Sequence, residues 1–179
     1  MKHLLKIAFT FLAATLFTAA TAQSTGAFLK FDLDGKHISV PANELGTYNN
    51  FVSGDEGQKT NNEHAFYTNS SGKQAYKLDI MIHTPAHANP VVGKLPFVGT
   101  IYKTKDPAPA VYLYMEHTVG AERNTYCSTT NSTGYFEITK VAAGWVEGKF
   151  EINIAKQFED QPVLHITNGS FRFKIDKEM

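Results

Sequence analysis

The chain reads as all-β: a single antiparallel β-sandwich or partly closed barrel of about nine to ten strands, following an N-terminal signal peptide. Three observations carry this reading. Apolar and polar residues alternate with period two through most of the apolar-bearing segments, which sends neighbouring side chains to opposite faces of a pleated strand. Gly, Pro, Asn and Asp cluster between those segments at short intervals, as turns require. After the first 22 residues no stretch carries the 3.6-residue period of an amphipathic helix.

The chain opens MKHLLKIAFTFLAATLFTAATAQ. Lys2 and Lys6 make a basic front, Ile7 to Phe17 an apolar core, and Ala20-Thr21-Ala22 a small-residue end. The expectation is a secretory signal peptide over residues 1–22, cleaved before Gln23, with an apolar core too short to span a bilayer. Residues 23–179 then form one domain, large enough for a core without disulfide staples. Cleavage removes two lysines and no acid, leaving a net charge of about −2. No basic patch survives, so nucleic acid is not an expected partner. Cys127 is the single cysteine, so no internal disulfide can form. The expected location is periplasmic or secreted, without a lipid-anchor cysteine and without stable membrane insertion.

Ala27 to Val40 reads as a hairpin turning at Asp34-Gly35. Pro41 to Phe51 can hold one helical turn, since Pro is tolerated at the first helical position. Ser53 to Asn62 is a polar loop, and Glu63 to Thr68 a short strand. Ala75 to His83 alternates: Tyr76, Leu78, Ile80 and Ile82 inward; Lys77, Asp79, Met81 and His83 toward water. Thr84 to Pro90 is a loop because its prolines remove ladder donors. Val98 to Lys103 resumes a strand, Asp106 to Pro109 breaks it, and Val111 to His117 is the next. Gly120 to Gly134 is long and polar, with a short strand at Asn124 to Ser128. The closing stretch, Gly134 to Ile175, reads as four strands, with turns at Ala143-Gly144 and Asn168-Gly169. Its inner rows are Phe136 and Ile138, then Val146, Gly148, Phe150, Ile152 and Ile154, then Phe171, Phe173 and Ile175. Gly148 inside a strand signals a bulge or a close backbone approach.

Gly134 to Lys140, Trp145 to Ile154 with Gly148 and Phe150, and Ile166-Thr-Asn-Gly-Ser-Phe171 resemble the ending of a family of exported bacterial cell-envelope β-domains of unknown function, common in Bacteroidota. Leu78 to Ile82 and Gly99-Thr100-Ile101-Tyr102 resemble that family's middle. The resemblance spans about residues 27–176. It implies a fold and a compartment, with no catalytic residues to carry over. Many relatives are lipid-anchored, and this chain departs from them in lacking the cysteine.

Few residues suggest chemistry. His83 and His87 stand four apart, a metal-ligand spacing on a helix, but Pro85 between them breaks the helix; no metal is expected there. Asp32 and Asp34 resemble the start of a calcium loop without its remaining ligands, and read better as turn residues. Cys127 with His117 or His165 lacks a nucleophile motif and reads as a small buried hydrophobe. His64 is one more unassigned histidine. Asn69, Asn131 and Asn168 open glycosylation sequons, which matter only in a eukaryotic secretory pathway. Tyr112, Tyr114 and Trp145 sit on rows expected to face water, and aromatics on a wet sheet face hold sugar rings or peptide side chains. The expected function is therefore a non-catalytic binding module of the cell envelope, with a glycan or a protein as ligand. No catalytic residue or cofactor is expected. The alternatives are a structural component assembling through an edge strand, or a small hydrolase on a β scaffold.

Overall fold

A computed structural model describes residues 26–52, 61–68, 76–99, 109–119, 121–157 and 162–175. The signal-peptide reading, residues 53–60 of the expected Ser53–Asn62 loop and most of the Val98–Lys103 strand lie outside them; Asn61 and Asn62 belong to a strand rather than to that loop. Eleven strands form one antiparallel sheet, nearly closed and barrel-shaped. They are β1 (Phe28–Leu33), β2 (Lys36–Val40), β3 (Leu45–Val52), β4 (Asn61–Thr68), β5 (Tyr76–Pro85) and β6 (Gly93–Leu95), then β7 (Ala110–Val119), β8 (Glu122–Cys127), β9 (Gly134–Ala142), β10 (Trp145–Lys156) and β11 (Pro162–Lys174). The strand order is β2-β1-β11-β10-β8-β7-β5-β4-β3. β10 divides its second edge: Trp145 to Ile152 pair with β9, and Ala155 and Lys156 with β8. β6 lines the far edge of β9. No helix among the described residues is long and apolar enough to cross a membrane.

The inward rows build the core. Phe31, Phe66, Phe136, Phe150, Phe171 and Phe173 are all fully buried. Phe66 stacks on Phe173 at 5.0 Å, and Phe136 on Phe171 at 5.1 Å. The barrel is therefore filled rather than hollow at these levels. Asp34-Gly35 and Ala143-Gly144 take positive φ at both positions, as two-residue hairpins between twisted strands require. Gly148 shows both expected features. The β9–β10 register shifts between Glu147 and Gly148, and a side chain there would lie 2.5 Å from the Glu137 carbonyl oxygen.

One expected turn is corrected. Asn168-Gly169 does not turn the chain, because β11 runs unbroken through both residues. Asn168 adopts φ 53° and the register slips past it on both neighbours, so the pair forms a bulge. The left-handed preference that marks a hairpin serves equally well there, with Asn168 donating to Asp32 Oδ2 at 2.8 Å. The one helical turn expected after Pro41 is present, as a 3₁₀ turn over Ala42–Glu44, and Leu45 onward is strand.

Candidate functional site

The outward face of β3, β4, β5, β7 and β8 is the part of the sheet richest in chemistry. Cross-strand pairing sets its rows. Tyr67, Asp79, Tyr114 and Cys127 share one row, Ala65, Met81 and Tyr112 the next, and Glu63, His83 and Ala110 the third. Tyr48 on β3 stands opposite Ala65. The Tyr67 ring lies over Gly46, where any side chain would collide with it, and meets the Tyr48 ring at 5.8 Å.

Lys77, Asp79, Met81 and His83 were expected in water. Met81 and His83 are instead buried, in or beside a second cluster of Ala65, Met81, Val98, Ala110, Tyr112 and Cys127. Residues 96–98 run alongside the start of β7 and deliver Val98 to this cluster. The wholly buried Ser128 hydroxyl fastens them, accepting from the Leu113 N–H and donating to the Val98 carbonyl at 2.7 Å.

Burial sets the electrostatics. Glu63 is 2 % exposed, and its carboxyl is pushed up by desolvation against the pull of the Tyr48 hydroxyl, which donates to it at 3.0 Å. His83 is held down to about 4 by desolvation and by the neighbouring His64, so it is neutral at pH 7. Its Nε2 stands 3.7 Å from Glu63 Oε2, beyond hydrogen-bond reach, and neither atom has a partner among the described residues. The pair is therefore no ion pair at neutral pH. Asp79 is raised to about 6 by desolvation first and by the Glu116 charge second. Burial would also raise Glu116, but hydrogen bonds from Arg123 and Tyr114 and the charges of Arg123 and Lys77 outweigh it and hold that carboxyl low. The face thus carries one neutralised carboxylate, Glu116, and two, Glu63 and Asp79, that desolvation holds high, Asp79 despite the nearby Lys77 charge.

Of the aromatics singled out from sequence, Tyr112 and Tyr114 both belong to this face. Tyr112 is buried and hydrogen-bonds Cys127, while Tyr114 is half-buried with its hydroxyl on Glu116. Trp145 is elsewhere, at the opposite end of β10 from the residues that meet β8, about 30 Å along the strand. There Arg172 stacks over its ring at 4.4 Å. The structure brings the tyrosines together and leaves the tryptophan apart. His83 lies in the tyrosine face, whereas His87 is exposed in the turn after β5, at φ 61°. No group of three or more His, Cys, Asp or Glu side chains among the described residues is arranged to hold a metal. Asp32 and Asp34 are committed locally: Asp32 bonds His37 and Asn168, and Asp34 accepts the His165 N–H at 3.0 Å. Tyr48, Tyr67 and Glu63 were missed from sequence, because β3 lacks alternation and Glu63 opened a strand with no visible partner. No family model, no curated protein and no solved structure matches the chain.

Proposed function

We propose that this chain is a non-catalytic carbohydrate-binding module, exported to the bacterial cell envelope, whose ligand lies on the tyrosine-bearing outer face of β3, β4, β5 and β7. One observation carries the reading: Tyr48, Tyr67 and Tyr114 flank two carboxylates, Glu63 and Asp79, that burial holds above their ordinary range. Tyrosine rings offer flat apolar area for the C–H faces of a sugar, and carboxylates accept its hydroxyl protons. Tyr48 is 39 % exposed and supplies the accessible ring. The export and envelope parts rest on the N-terminal reading and on the family resemblance. A glycan array probed with the purified protein tests the proposal. Binding that Tyr48→Ala and Asp79→Ala each weaken at least tenfold, in variants that keep the wild-type circular dichroism, supports it. Binding indifferent to both substitutions refutes it, as does capture of peptides alone.

A further inference from the structure

A cleft of about 230 Å³ opens at one end of the barrel, away from the tyrosine face. Its floor is Ile82, Leu95 and Ile138 from the inward rows, and its wall is Ala88, Pro90 and Val91 from the loop after β5. Among the described residues no charged side chain lines it. Val91 in its wall and the adjoining Val92 are 64 % and 61 % exposed, two of the three large apolar residues exposed among the described residues. The wall is held from inside the barrel. The Ala88 carbonyl accepts from the Thr84 hydroxyl at 2.6 Å, from His64 Nε2 at 3.1 Å and from the Asn62 amide at 3.4 Å. The Ala88 N–H in turn donates to the Pro85 carbonyl at 3.0 Å.

These features distinguish a binding site from a packing gap. The wall is fixed by four hydrogen bonds, so the concavity is present before anything enters. Its one hydroxyl, on Thr84, and the Ala88 carbonyl already bond each other. Water inside would find few partners, and hydrocarbon would displace it favourably. The volume corresponds to about eight water-sized groups. The mouths of β-barrels are places where such ligand sites recur.

We infer that the cleft binds the end of an unbranched, uncharged hydrocarbon chain about eight carbons long, with its polar head outside, beyond Val91 and Val92. The neutral character follows from the lining: among the described residues no cation waits for a carboxylate, and an anion drawn in would lose hydration without compensation.

The test titrates the purified protein with n-alkanols from hexanol to dodecanol, followed by methyl ¹H–¹³C spectra. Shifts should centre on Ile82, Leu95, Ile138 and Val91. Affinity should tighten about fourfold per added CH₂, then level off near eight carbons as the cleft fills. Octanoate at pH 7.5 should bind at least about tenfold more weakly than octanol. Val91→Asp, at an exposed position, and Ala88→Trp, which fills the cleft, should each abolish the response and leave the remaining spectrum intact. Shifts scattered over the surface, a response without chain-length dependence, octanoate matching octanol, or wild-type binding by either variant would each overturn the inference.

Discussion

Replacing Gly148 with Ala probes whether the barrel core is assembled as described. An added Cβ would sit 2.5 Å from the Glu137 carbonyl oxygen and 2.7 Å from Phe171 Cε1. Neither neighbour can retreat. The carbonyl belongs to the β9–β10 ladder, and the Phe171 ring is fully buried against Phe136. Overpacking of this kind costs about 1–3 kcal/mol, and a collision with backbone belongs at the upper end because no rotamer relieves it. The stiffer unfolded chain of Ala returns about 0.4–1 kcal/mol. The net loss is about 2 kcal/mol, which for a domain of this size lowers Tm by about 4–8 °C. Thermal unfolding followed by circular dichroism reads it. The double variant Gly148→Ala/Phe171→Leu should lose less than the sum of the two single changes, because the smaller side chain vacates the contested space. A Tm for Gly148→Ala within about 1 °C of wild type, or strict additivity in the double variant, would refute the placement of that ring.

The remaining predictions use urea titrations and thiol chemistry. Asp79, ordinarily at 3.8, is held at about 6, so its contribution to stability is full below 3.8 and lost as pH rises through 6. His83, ordinarily at 6.5, is held at about 4, so stability is lost as pH falls from 6.5 to 4. The two oppose each other over nearly the same window. Asp79→Asn should therefore fall more steeply than wild type on acidification from pH 7 to 4, and His83→Asn should rise relative to it; parallel profiles would contradict the burial of both groups. Asp79→Asn should also gain roughly 1 kcal/mol at pH 7.5 by removing a poorly solvated charge. Asn168→Ala should cost about 1–2 kcal/mol, from the left-handed backbone and the lost Asp32 bond, with Asn168→Gly recovering about half. Cys127 is buried and its thiol raised by desolvation, so it should react with a disulfide reagent at pH 7.5 only after denaturation; rapid native labelling would show it exposed.

Residues alternating under one strong local signal were readable from the chain alone. The inner rows of β5, β9, β10 and β11, the hairpins at Asp34-Gly35 and Ala143-Gly144, and the strain at Gly148 all follow from period two and from φ preference. β3 was not readable, because Leu45–Val52 carries Gly46, Asn49 and Asn50 among its apolar residues and owes its pairing to β4. Nor was the bulge at Asn168, since an Asn-Gly pair looks the same in a turn as in a strand; only the flanking β1 and β10 ladders decide. The tyrosine face was half visible. Tyr112 and Tyr114 declare themselves two apart on β7, but Tyr48 and Tyr67 join them through strand order. Trp145 is removed from them by a register in which β10 touches β8 at two residues only. The burial of Met81 and His83 has no local signature, because what covers them comes from residues 96–98 and from neighbouring strands.

β1 is hydrogen-bonded to β11 from Phe28↔Arg172 to Leu33↔Ile166. The β1–β2 hairpin thus has its ladder partner more than a hundred residues further along the chain. During synthesis that hairpin must wait, with Leu29, Phe31 and Leu33 unsheltered, until β11 has emerged. Closure is then a late, long-loop event, which makes folding slow relative to local hairpin formation. A chain stopped before residue 162 would keep most of its hairpins yet present two open ladders, on β1 and β10, inviting one molecule to complete another.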